Sequence, residues 1–196
     1  NMDAGDWFGS SMSIDGDTLA VSSIGNDGNQ NTITNGTGSS ADNSLENSGA
    51  VFVYTRSGTD WSQQAYIKPS NAAVNGGFGS SVSLQGDLLV VGADEDSNAT
   101  TITNGSTASS DTSSENSGAV YVFQRSGTSW SQIAYIKAVN GENGDGDGGS
   151  LALDNSTIVV GSQSEDSNQR GITNGNTAST DNSNPGSGAV YVYRAY

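Results

Sequence analysis

Short apolar runs separated by turn signals and long polar stretches recur along this chain. In residues 9–14, Met12 and Ile14 alternate with serines, the period-two pattern of a half-buried strand. Asp15-Gly16-Asp17 follows as a tight turn, and residues 18–23 form a second strand. Its later counterpart Leu88-Leu89-Val90-Val91-Gly92-Ala93 is apolar on both faces, so this strand is expected to be covered on both sides. Residues 24–48 hold almost nothing apolar. A third strand, residues 49–54, is again apolar on both faces, and Arg56-Ser57-Gly58-Thr59 turns the chain into a fourth, residues 61–68. There Trp61, Ala65 and Ile67 alternate with polar residues. The pattern predicts an outer strand with Ser62, Gln64 and Lys68 on a solvated face.

The whole pattern repeats. FGSSMSIDGDTLAVSS from Phe8 returns as FGSSVSLQGDLLVVGA from Phe78, 70 residues on, and Ser-Gly-Ala-Val recurs from Ser48, Ser117 and Ser187 at spacings of 69 and 70. A third copy, GSLALDNSTIVVGS and SGAVYVYRAY, places Gly148-Gly149 where Phe-Gly is expected. The units are residues 1–70, 71–139 and 140–196, and the last stops before a fourth strand. With 32% hydrophobic residues and 27 glycines, one unit alone buries little, so neighbouring units must stack. The expected fold is all-β: four-stranded antiparallel blades of the β-propeller type, two complete and one incomplete, within a propeller or an oligomeric assembly. The free edge of the third blade is expected to pair with a neighbouring blade or chain.

The long polar loops share Ile33-Thr34-Asn35-Gly36, Ile102 to Gly105 and Ile172 to Gly175. Composition alone fits disorder as well as function, but this recurrence predicts a fixed conformation anchored by a buried isoleucine.

Charge narrows the partners. Twenty-one acidic residues face six basic ones, and the net charge of −15 repels nucleic acid and anionic lipid, favouring cations and neutral polar surfaces. Cysteine and histidine are absent, which removes disulfides, thiolate zinc sites and the usual general base. No apolar run approaches the roughly 18 residues of a membrane span, and Asn1 does not open a signal peptide. The start within a linker pattern reads as a processed product or a piece of something larger, and the composition suits an extracellular, secreted bacterial surface protein. Lys68 and Lys137 supply the only amines for catalysis and sit in the solvated-face pattern, while no carboxylate pair stands out, so the chain reads as non-enzymatic.

Phe78-Gly79-Ser80-Ser81-Val82, Gly86-Asp87, Val90-Val91-Gly92-Ala93 and Gly118-Ala119-Val120-Tyr121-Val122-Phe123 together resemble the FG-GAP repeats of bacterial surface proteins, relatives of the integrin α-chain propeller. The resemblance implies extracellular propeller blades that frequently bind calcium and serve adhesion or ligand binding. The first copy departs from it with Ser22-Ser23 where Gly-Ala is expected, and no copy has the proline that often follows.

Calcium needs several oxygen donors converging on one point. Aligning the loops on Ile-Thr-Asn-Gly puts Asp27, Asp96 and Asp166 in one column, Asn29, Asn98 and Asn168 in a second, and Asp42, Asp111 and Asp181 in a third; Asp94 and Glu115 add donors in the second unit. Asx-turns explain the same residues without a metal. Asn143-Gly144-Asp145-Gly146-Asp147-Gly148 matches the start of an EF-hand-like loop with Asp154 at position twelve, though Leu151 occupies position nine and a glycine-rich linker fits equally. Asn35, Asn98, Asn104 and Asn155 head glycosylation sequons. Trp61 and Trp130 either stack on sugars or plug the space between blades. The functional expectation is a calcium-stabilised adhesion or ligand-binding module for a protein or glycan. The alternative is a protomer of an extracellular filament or surface layer, a homo-oligomer in which a neighbouring chain completes the open third blade.

Overall fold

A computed structural model describes residues 3–95 and 97–195, and every regular element among them is a β-strand. The first sheet contains β1 (Phe8–Asp15), β2 (Thr18–Ser23), β3 (Thr34–Asn35), β4 (Ala50–Ser57) and β5 (Asp60–Ile67), in the order β1-β2-β4-β5-β3. The second repeats it with β6 (Val82–Gln85), β7 (Leu88–Ala93), β8 (Thr103–Asn104), β9 (Ala119–Ser126) and β10 (Ser129–Ile136). The third has β11 (Asp147–Asp154), β12 (Thr157–Ser162) and β13 (Ala189–Arg194) in sequence order. All strand pairs are antiparallel and none of the sheets closes on itself.

Three antiparallel sheets follow one another along the chain, but the first two have five strands each where four were expected, and the third has three. The addition comes from the polar loop, which crosses the outer edge of the sheet and pairs Thr34 with Tyr66 and Asn35 with Ala65. In the second unit Thr103 and Asn104 pair likewise with Tyr135 and Ala134. An outer strand exposes a row of backbone donors and acceptors, and this short strand satisfies some of them. The loop is therefore held by main-chain pairing rather than by the expected isoleucine anchor. Ile33 is only partly buried against the core, and Ile102 and Ile172 are exposed.

A bulge corrects the face assignment of the fourth strand. Val53 pairs with Ala65 but Tyr54 with Gln63, which leaves Gln64 as the extra residue. The inserted residue reverses the alternation, so Trp61 shares a face with Tyr66 and not with Ala65 and Ile67. The same shift lies between Gln132 and Ala134. Lys68 and Lys137, expected on a solvated face, are fully buried just beyond this strand.

The sheets stack face to face. Ala20, Val51, Val53, Ala65 and Ile67 of the first pack against Phe78, Leu84, Leu89, Val91 and Phe123 of the second. The opposite face of the second sheet, with Val90, Val120, Val122 and Ile136, packs on Ile158 and Val160 of the third. The serines of β1 point into the stack: backbone amides of Val82, Leu84 and Gly86 donate to Ser11 Oγ (3.2 Å), Ser13 Oγ (3.0 Å) and Asp15 Oδ2 (2.6 Å). Met12 and Ile14, the residues expected to be buried, are instead exposed on the outer face of the first sheet.

Successive units touch closely where each new one begins. Gly49 bridges Phe78 and Gly118 bridges Asp147, so Asp147-Gly148 is the third unit's counterpart of Phe78-Gly79, one residue earlier than the sequence reading placed it. The glycine is required on two counts: Gly79 has φ +100°, and a Cβ there would come within 2.7 Å of the Ser22 side chain.

Candidate functional site

The unforeseen feature is a buried polar node at one end of each sheet, built from equivalent residues. In the first unit the Lys68 ammonium donates to Ser48 Oγ (2.5 Å) and the Gly49 carbonyl (2.6 Å). Tyr66 OH donates to Asn26 Oδ1 at 2.7 Å, and Asn26 Nδ2 donates to Asp6 Oδ2 at 3.3 Å. Asn26 offers no charge to this lysine, and burial lowers its pKa to about 7, against the pull of Asp27 and Asp6.

In the second unit Glu95 stands at the place of Asn26. Lys137 donates to Ser117 Oγ (2.6 Å), to the Gly118 carbonyl and to Glu95 Oε2 (3.4 Å), with Tyr135 OH on the same carboxylate oxygen at 2.9 Å. Asn71 Nδ2 donates to Glu95 Oε1 at 3.2 Å, and Asn71 Oδ1 accepts from Tyr121 OH at 2.7 Å. Burial raises the Glu95 pKa, and Lys137 opposes that rise.

The third unit has the acidic half of this node. Glu165, buried, accepts from Asn140 Nδ2 (2.7 Å) and from the Ser167 amide (3.0 Å), and Tyr191 OH donates to Asn140 at 2.7 Å. Ser187 Oγ donates to the carbonyls of Glu165 (3.1 Å) and Ser167 (2.6 Å), as Ser48 and Ser117 do in their units. Among the described residues no outer strand brings a tyrosine and a lysine to it. Asp145 and Asp147 are buried nearby, Asp145 with its pKa pushed up to about 6 and Asp147 also raised, both chiefly by burial. Asp147 Oδ2 accepts from the Ala138 amide at 2.9 Å, and its Oδ1 is buried without a hydrogen-bond partner.

The expected calcium donors are distributed along the loops. Asp27 and Asp166 accept from the amides of Asn47 (2.8 Å) and Gly186 (2.7 Å) and so staple the loop to its own return. Asp42, Asp111 and Asp181 accept from the amides of Ser44, Ser113 and Ser183, two residues on, which is the geometry of an Asx-turn. The hydroxyls and amides of Ser44 and Ser183 hold Asp42 and Asp181 below the usual carboxylate range. Two predicted columns meet in the third unit, where Asn168 Nδ2 donates to Asp181 Oδ2 at 2.9 Å. Asn29, Asn98 and Asn143 are exposed, Asp94 packs against Gly77, and Asp96 lies outside the described residues. In the glycine-rich run, Asp147 opens strand β11 and Asp154 ends it, so the extended backbone carries position twelve away from the earlier donors. Among the described residues no group of three or more acidic side chains is arranged to hold a metal ion.

Trp130 does plug the space between blades. It is buried, its backbone amide donates to Asn35 Oδ1 (2.8 Å), its Nε1 donates to Gln64 Oε1 (2.9 Å), and the Arg125 guanidinium lies 5.2 Å from its ring. Asn35, read in sequence as the head of a sequon, thus joins the first sheet to the second. Trp61, at the equivalent place on the outer face of the first sheet, is 41% exposed.

Sequence reading missed the nodes because a lysine beside serine and glutamine reads as solvated. The available signal was that Ala-Tyr-Ile-Lys recurs at residues 65–68 and 134–137, with Ser48 and Ser117 each 20 residues before the lysine.

Comparison with protein families agrees with this architecture. The FG-GAP repeat model matches residues 1–54 and 61–123. The third sheet, where Asp147 replaces the phenylalanine, lies beyond that match. No curated protein matches the chain.

Proposed function

Because the chain belongs to the FG-GAP repeat family, we propose that it is a non-enzymatic, extracellular, propeller-type module for adhesion or ligand binding, with calcium steadying its acidic loops. The observation that carries this reading is the arrangement of the loops. The sheets stack face to face, and the connections from β2 to β4, β7 to β9 and β12 to β13 are long, polar and carry acidic residues in each unit. Loops of this kind, held by a rigid scaffold, are where binding residues concentrate. The net charge of −15 supports the calcium part. Catalysis has no place in it, because the buried lysines and carboxylates of the first two nodes are hydrogen-bonded within the node. Thermal unfolding with calcium and with EDTA tests the ion: a midpoint raised by calcium is expected, and one indifferent to chelation refutes that part.

A second reading, a protomer of an extracellular filament or surface layer, is favoured by one observation. Val190 and Val192 on the free face of the third sheet are 68% and 65% exposed, whereas their equivalents in the other sheets are buried. Sedimentation across a concentration series tests it, with growth beyond a monomer expected.

A further inference from the structure

We propose that the polar node of the first unit is the site of a covalent cross-link. The Lys68 amine attacks the Asn26 side-chain amide, ammonia leaves, and a new amide bond joins the chain just beyond β2 to the chain just beyond β5. This is one intramolecular step with no outside substrate, so it goes beyond the binding module described above without making it an enzyme.

The groups that an acyl transfer needs are assembled around Asn26. Its Oδ1, where negative charge develops on attack, accepts from Tyr66 OH at 2.7 Å and from the Gly28 amide at 3.2 Å. Two donors on one carbonyl oxygen form the arrangement of an oxyanion hole. Its Nδ2, the leaving nitrogen, donates to Asp6 Oδ2 at 3.3 Å, so a carboxyl group stands where a proton must be delivered. Asp6, Asn26, Ser48, Tyr66 and Lys68 are all buried, which keeps water from competing with the amine.

The second node shows where the amine points. Lys68 and Lys137 make the same two bonds, to a serine hydroxyl and to the carbonyl of the glycine that follows it. Lys137 directs a further bond to Glu95 Oε2 at 3.4 Å, and Asn26 stands at the place of Glu95. Once deprotonated, Lys68 keeps two N–H groups for Ser48 and the Gly49 carbonyl and turns its lone pair toward residue 26. Burial lowers its pKa to about 7, against the pull of Asp27 and Asp6, so the nucleophilic neutral amine is well populated near neutral pH.

Nζ bonds to Cγ, the proton it sheds passes through the Asp6 carboxylate to Nδ2, and the Cγ–Nδ2 bond breaks to release ammonia. The chain becomes lighter by about 17 Da, and no oxidant or cofactor is consumed. The other two nodes cannot follow, because Glu95 and Glu165 carry no nitrogen to expel.

The test uses the intact protein, unfolded in urea and refolded at about pH 6, where Lys68 is mostly protonated, then moved to about pH 9. Intact mass and tryptic mapping are followed with time. Loss of one ammonia is expected, with a branched peptide joining Lys68 to Asn26, and it should run about tenfold faster at the higher pH as the neutral amine becomes dominant. Asp6→Asn should slow it by roughly a hundredfold, and Asn26→Asp should abolish it while keeping the side chain's shape. Unfolding measured promptly after refolding reads the unlinked node, and the linked chain should unfold at higher urea. An unchanged mass in the folded protein overturns the proposal. So does a loss of ammonia without the branched peptide, which is succinimide closure at an Asn-Gly pair. Mapping of the unaltered protein decides the matter even if a variant fails to fold.

Discussion

The second and third sheets are written in nearly the same residues yet differ in what covers them. Val120 and Val122 are sealed between the second sheet and the third, while Val190 and Val192, at the same positions of an almost identical strand, face solvent. The node of the second sheet is a complete set of Glu95, Tyr135 and Lys137; that of the third has Glu165 without the other two. Burial in this protein is therefore a property of the neighbour as much as of the sequence, as expected for a stack in which each unit contacts only the adjacent ones.

The contrast can be broken most severely at the second node. Lys137→Met leaves Glu95 as a buried charge without its cation and should cost about 3–5 kcal/mol, read from urea unfolding. Adding Glu95→Gln should recover most of that loss. Lys68→Met is the sharpening control: Asn26 holds no charge, so this change should cost little or even stabilise, and a loss as large as that at Lys137 would show that the lysines are held alike. Next comes the apolar pair. Val122→Ala should cost about 2 kcal/mol, whereas Val192→Ala should stay within about 0.5 kcal/mol; equal losses would mean that the third sheet is covered as the second is. Asn35→Ala removes the bond to the Trp130 amide between the first two sheets and should cost about 1 kcal/mol, measured the same way.

The pH effects run oppositely in the first and third units. Lys68, with a pKa lowered to about 7 by burial, binds fewer protons in the folded than in the unfolded chain between about pH 7 and its ordinary value of 10.5. Stability should thus rise with pH across that window, with the full cost present below it, and Lys68→Met should flatten the rise. Asp145, raised from 3.8 to about 6, binds more protons when folded, so stability should fall as pH rises between those values, and Asp145→Asn should remove that fall. Thermal melts over the two windows check both signs.

The architecture was legible because strand signals, turns and a period of about 70 residues agree with one another. Strand β2 and the turn at Gly16 came directly from that pattern. What escaped were features that local alternation cannot encode. A single bulged residue at Gln64 reverses a face, and a two-residue strand from a polar loop joins a sheet edge. The serines of β1 looked like the wet side of a strand because hydroxyls that bond the amides of a neighbouring sheet are indistinguishable in sequence from hydroxyls that bond water. The buried lysines escaped for the same reason, since their partners are a serine some 20 residues back and backbone carbonyls. The loop carboxylates were read for their charge, and most of them spend an oxygen on nearby amides.

Native-state hydrogen exchange of β9 against β13 tests most directly whether neighbours, rather than the strands themselves, hold this stack together. The inner amides of β9 should exchange only with global unfolding, while those of β13 open locally and exchange faster by orders of magnitude in the isolated protein. Equal protection of the two strands in a monodisperse monomer would contradict the account.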